Sequence, residues 1–217
     1  MSIFTNMKKI ILSILAIIIA APAFSQYTIT STSYKKEYLY YYGLRLGLGV
    51  SAINSDDDKL DGGSLHTGLN VGALIGFQLS PKAPVYLETG LYYAEKGGKG
   101  KIDKKKFTYN LNYFEVPLVI KYKYEVDGDF SVQPFAGGYL AYGIAGKYKD
   151  YKERRSESSF GSDKFKRFDG GLRLGCGFEY STIYGELAYD LGLANICHDE
   201  FDRTTNGAFS INFGVNF

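Results

Sequence analysis

Single charged residues recur inside otherwise apolar, tyrosine-rich stretches of this 217-residue chain. Arg45, Glu88, Lys96, Glu115, Lys121, Asp169, Arg173, Glu179, Glu186 and Asp190, with Lys123, each fall on the opposite side of a two-residue alternation from Leu, Val, Ile and Phe. Such a period lines one face of a β-strand with one residue class and the other face with the other. If a closed sheet turns these charges inward, they must neutralise one another as a packed network of ion pairs, because an isolated buried charge costs several kcal/mol. The same groups around a wider lumen would make a small conducting pore, and inward glycines would leave some room for water.

Other chemistries are less well equipped. Two histidines are present, His66 and His198. His66 has Ser51 and Ser64 within reach in sequence, and His198 stands beside Asp199 and Asp202. A rim enzyme acting on lipid A is the reading they suggest, but no G-x-S-x-G elbow accompanies them, and no catalytic residue is expected. Asp56, Asp57, Asp58 and Asp61 precede Gly62 and Gly63 without the later glutamate of a calcium loop. No metal and no cofactor are expected. Lys104, Lys105, Lys106, Arg154 and Arg155 fall in polar stretches and are candidates for charge-assisted contacts to lipopolysaccharide phosphates; solvated loops that neutralise one another are the alternative. Cys176 and Cys197 are kept apart by the expected strand arrangement and are expected to stay unpaired.

Those residues need elements that carry them. Lys8 and Lys9 precede the apolar run 10–21, and Pro22, Ala23, Phe24 and Ser25 follow it. This is a signal peptide over 1–25, cleaved after Ser25, and the run is too short to span a bilayer as a helix. Its removal takes two lysines and no acid, which balances the charge and disfavours a net-basic nucleic-acid binder. A polar leader over 26–37, expected in the periplasm, leads into a domain over 38–217. Eight strands are expected there: 38–51, 66–79, 85–96, 107–124, 130–146, 166–180, 183–194 and 208–217. Both faces of 130–146 are apolar and neither is assigned. The connections alternate between long and polar (52–65, 97–106, 147–165, 195–206) and short (80–84, 125–129, 181–182). Together these features predict an all-β fold, an eight-stranded antiparallel up-and-down transmembrane β-barrel with short periplasmic turns and long extracellular loops. Only a closed sheet pairs every backbone group in hydrocarbon without a free edge. The last strand, with Phe209, Ile211, Phe213, Val215 and Phe217 on one face, is expected to close against the first, and Phe217 to serve as the assembly signal. Tyrosines near both strand ends would form the interfacial belts in a chain with no tryptophan.

The segments LNYFEVPLVIKYKY (111–124), YLETGLYYAEKG (86–97), PFAGGYLAY (134–142) and FDGGLRLGCGFEY (168–180) resemble the PorT-type outer-membrane β-barrel family of Bacteroidetes, and the resemblance covers nearly the whole chain after the leader. Its most specific element is Glu-x-Pro-Leu-x-x-Lys at Glu115, Pro117, Leu118 and Lys121. Ala188 stands where the family commonly has a basic residue, which implies one ion pair fewer inside. The resemblance implies integral location in the outer membrane after export by the general secretory route, and no defined activity for most members. Taken with the residue pattern, the expectation is a non-enzymatic structural, adhesive or secretion- and assembly-associated component. The partners expected are membrane lipid, lipopolysaccharide, the barrel-assembly machinery and secretion-system or surface proteins, but not nucleic acid.

Overall fold

The computed structural model describes residues 40–55, 65–102, 105–150, 156–160, 165–197 and 204–217. The expected signal peptide and leader, Asp56 to Asp61, Ser64, Lys104, Arg154, Arg155, His198, Asp199 and Asp202 lie outside them, as do the side chains of Lys105 and Lys106.

Eight strands span the molecule: β1 (Tyr40–Ser55), β2 (His66–Ser80), β3 (Ala83–Ile102), β4 (Lys105–Tyr122), β5 (Phe130–Ala145), β6 (Phe168–Tyr180), β7 (Ile183–Gly192) and β8 (Thr204–Asn216). Each pairs antiparallel with its neighbours in sequence. The sheet closes where β1 meets β8 in a register running from Gly43↔Asn216 to Ser55↔Thr204. Three short strands extend this frame. Tyr124–Asp127 continues β4 beyond a break at Lys123, while Lys147–Asp150 and Ser156–Ser158 extend the sheet past β5.

Alternation along each strand decides what faces lipid. Phe114, Val116, Leu118 and Ile120 of β4, Leu172, Leu174 and Phe178 of β6, and Phe209, Ile211 and Phe213 of β8 are all exposed on the outer face. Residues between them, Glu115, Lys121, Arg173, Ser210 and Asn212, are buried. This is a soluble sandwich turned inside out, and hydrocarbon is the solvent that favours it. Val215 lies on the apolar face but is buried between its register partners Leu44 and Ile183.

The strand whose faces could not be assigned from sequence is now placed. Ser131, Gln133, Phe135, Tyr139 and Ala141 of β5 point inward, and Pro134, Ala136, Leu140, Tyr142 and Ile144 point to lipid. Both faces are apolar because this inner face supplies aromatic filling for a narrow lumen.

Several boundaries differ from the expected ones. β1 runs on to Ser55, and β6 and β7 are shorter than expected, at Phe168–Tyr180 and Ile183–Gly192. Of the expected long loop over 97–106, the described residues are instead ladder: β3 and β4 stay paired from Gly97↔Asn110 to Ile102↔Lys105. Polarity suggested a loop there, but once two strands are held in register by the barrel their backbones go on pairing whatever the side chains. The three connections at the opposite end are two-residue turns, Pro81-Lys82, Gly128-Asp129 and Ser181-Thr182. Left-handed backbone at Gly128 (φ 48°) and Ser181 (φ 56°) supplies the turn twist that such tight hairpins need. This short-turn end is the periplasmic one in outer-membrane barrels.

Exposed Tyr40, Tyr42, Phe77, Tyr122, Tyr124, Phe178, Tyr180 and Phe217 surround the short-turn half, and Tyr142 and Phe168 pair across β5 and β6 at the other. Tyr109 does not join that second belt: it is 1% exposed and lies inside the mouth.

Candidate functional site: the filled barrel interior

The inward residues stack in layers from the short-turn mouth upward. Lowest, Lys123 pairs with Glu179 at 2.5 Å, and Asn216 donates to the other oxygen of the same carboxylate. The Arg45 guanidinium donates to the Asn216 side-chain oxygen at 2.7 Å and the Val215 carbonyl at 3.1 Å, and lies 3.8 Å over the Tyr184 ring. Lys121 donates to Glu88 and to the Tyr184 hydroxyl, each at 2.7 Å, and Tyr41 donates to the same Glu88.

The next layer is centred on Glu115. Its two oxygens accept from Lys96 at 2.6 Å and Arg173 at 2.7 Å. Both cations also reach Asp190 at 3.2 Å, and Arg173 faces Glu186 at 3.6 Å. Asn212 donates to Glu186 at 3.0 Å. Asp169, one level higher, accepts from Asn206 at 2.8 Å and from the Gly170 amide at 2.7 Å. The ten residues singled out by alternation are therefore all buried, and apart from Asp169 they fall into two linked sets, Arg45, Glu88, Lys121 and Glu179 below and Lys96, Glu115, Arg173, Glu186 and Asp190 above.

Alternation places Tyr92, Tyr184, Asn212 and Asn216 on the inward face but does not show them as partners of these charges, and it leaves Tyr41, Tyr139 and Asn206 unassigned. That the inward glycines are not vacant needed the fold. The Tyr92 ring lies where a Cβ on Gly72 would sit, and Tyr184 covers Gly177 in the same way, so the room expected for water at these positions holds phenol rings. Ala188, where an ion pair was expected to be missing, packs with Val119 and Phe135 instead.

At the long-loop mouth the filling turns apolar. Ile53, Tyr109, Leu111, Tyr113, Tyr139 and Ala141 of the wall cluster with Phe160, Phe165, Ile196 and Cys197 from the connections. Phe160 meets Tyr113 edge-on with centroids 5.8 Å apart, and Phe165 bridges to Cys197. Burial raises the Cys197 thiol above its ordinary pKa, and both Cys176 and Cys197 are free thiols. Ser51 and His66 are register partners, yet the Ser51 hydroxyl donates to the backbone carbonyl of Gly97 at 3.0 Å.

A closed sheet greasy outside and filled with paired charges inside defines an integral barrel of the outer membrane. The chain belongs to the outer membrane protein beta-barrel domain family, which it matches over residues 24–198. No curated protein matches it in sequence. Among solved structures it is similar to Ail, the attachment invasion locus protein of Yersinia pestis (14% identity, 82% of this chain and 98% of that one, TM-score 0.43). It is also similar to Neisserial surface protein A (11%, 81% and 97%, 0.44) and to a major outer membrane protein from Thermus thermophilus (12%, 81% and 99%, 0.47).

Proposed function

We propose that this barrel is a non-enzymatic, non-conducting component of the outer membrane, structural, adhesive or associated with secretion and assembly, and that its long-loop end is the working surface. The observation that carries this is the double closure of the lumen, by the Lys96–Glu115–Arg173–Asp190 cluster at mid-height and by the apolar cluster around Phe160 and Ile196 at the mouth. An ion crossing it would have to break buried pairs and then enter an apolar seal, both costly. Planar-bilayer recording of the purified protein tests this: no stepwise conductance is expected, and steady single-channel steps would favour the porin-like alternative.

Lipid A chemistry is disfavoured by the use of the Ser51 proton on a backbone carbonyl. Unchanged lipid A mass profiles after joint replacement of His66 and His198 would agree. Within the family, the motif at Glu115, Pro117, Leu118 and Lys121 favours PorT-type membership, with secretion-system or surface proteins as partners that co-purification would identify. Lys104, Lys105, Lys106, Arg154 and Arg155 are proposed to contact lipopolysaccharide phosphates, and Phe217 to be read by the barrel-assembly machinery after export through the general secretory route. Deleting Phe217 should then lower the folded, heat-modifiable fraction in the outer membrane, and normal insertion of the truncated chain would remove that role.

A further inference from the structure

A cavity of about 280 Å³ opens at the short-turn mouth, lined by Tyr41, Tyr86, Lys123, Gln133, Glu179, Ser181, Asn216 and Phe217. Above it the lumen is occupied: the Tyr41–Glu88 and Arg45–Asn216 hydrogen bonds lie at that level. It is therefore a blind pocket, and in an outer-membrane barrel it faces the periplasm.

Its chemistry is specific. Tyr41 and Tyr86 meet edge-to-face with centroids 5.6 Å apart and form an aromatic corner. On the lining with them stand the Lys123–Glu179 pair at 2.5 Å and the amides of Gln133 and Asn216. The charges of this pair cancel, and each oxygen of Glu179 is already engaged, one by Lys123 and one by Asn216. A charged ligand meets a like charge beside the opposite one, so the pair gives it little net attraction. A neutral hydroxyl needs none. It can accept from the remaining ammonium protons of Lys123, whose side chain is 31% exposed, and donate to the spare lone pairs of the carboxylate. The tyrosine corner meanwhile offers dispersion contact to an apolar C–H face. At just under the roughly 300–1,000 Å³ of drug-sized pockets, the cavity suits one ring rather than several.

We propose that this pocket binds a neutral sugar ring from the periplasm, with Tyr41 and Tyr86 stacking on it and Lys123, Glu179 and Gln133 holding its hydroxyls. The site goes beyond the structural reading above and does not depend on whether the lumen conducts.

The test uses the full-length protein in a detergent without a sugar headgroup, titrated with N-acetylglucosamine and followed by backbone amide NMR. The expected result is saturable shifts confined to Tyr86, Gln133, Ser181, Phe217 and their neighbours, weakened about tenfold by Tyr86→Leu and also by Gln133→Leu. Either variant suffices if the other fails to fold, since each removes a different kind of contact. Co-sedimentation with insoluble cell-wall sacculi separates the two sources: retention that soluble sugar competes away means polymeric glycan, and titration without retention means a free saccharide. The proposal is overturned if no saturable shift occurs, if the shifts ignore both substitutions, or if glycine or inorganic phosphate produces them and the sugar does not.

Discussion

Replacing Arg173 by methionine should be among the costliest single changes inside this barrel, and the geometry says why. Arg173 faces Glu115 at 2.7 Å, Asp190 at 3.2 Å and Glu186 at 3.6 Å, with all four side chains nearly inaccessible. Without it Glu115 and Asp190 are left to share Lys96, and Glu186 loses the cation that faces it. Stranding one partner of a buried pair costs about 3–5 kcal/mol, and Arg173→Met should reach the upper end, about 5. Glu115→Gln is milder. Lys96 and Arg173 still share Asp190, Glu186 still faces Arg173, and two cations then face two carboxylates instead of three, so at most about 3 kcal/mol is expected. Lys123→Met at the wet mouth should cost at most about 1 kcal/mol, because a 31% exposed ammonium is screened by water. Denaturant unfolding of barrels in lipid vesicles, followed by tyrosine fluorescence and by mobility of unheated samples on gels, measures all three on one scale. The Arg173→Met, Glu115→Gln double variant should cost clearly less than the sum of the singles, since the two side chains touch. If Arg173→Met proved no worse than Lys123→Met, the middle of the barrel would be hydrated, and the closed-lumen argument would fail with it.

Gly72→Ala should destabilise by about 1–3 kcal/mol, because the new methyl overlaps the Tyr92 ring; the same denaturant assay reads it, and Tyr92→Leu in the Gly72→Ala background should recover part of the loss. Gly128 has open space around a missing Cβ but a φ of 48°, so Gly128→Asn should be nearly silent while Gly128→Val costs roughly 1–2 kcal/mol. Burial raises the Cys197 pKa, so at any pH below that raised value less thiolate is present than in the unfolded chain, and maleimide labelling should be slower in the folded barrel. Phe160→Ala, which unpacks the cluster covering that thiol, should accelerate labelling; equal rates in both proteins would mean that the mouth is already open.

Much of this architecture is legible from the chain because β-structure has a side-chain period of two. Alternation at Leu44 to Val50, at Phe114 to Tyr122 and at Phe209 to Phe213 separates lipid face from lumen, and the same period marks Arg45, Glu115, Arg173 and Asp190 as interior groups. Chain order even implied that the last strand would meet the first. The period carries no information about register, tilt or the third dimension, however. It could not say that Arg173 and Lys96 converge on Glu115, that Tyr92 and Tyr184 occupy the space of Gly72 and Gly177, or that Gly97 to Ile102 pair with Lys105 to Asn110. Neither could it reveal the seal at Phe160, Phe165, Ile196 and Cys197, whose members come from connections far apart in sequence. Which side of each strand meets lipid follows from local alternation; which side chains meet one another across the lumen was decided only when eight tilted strands closed into a cylinder.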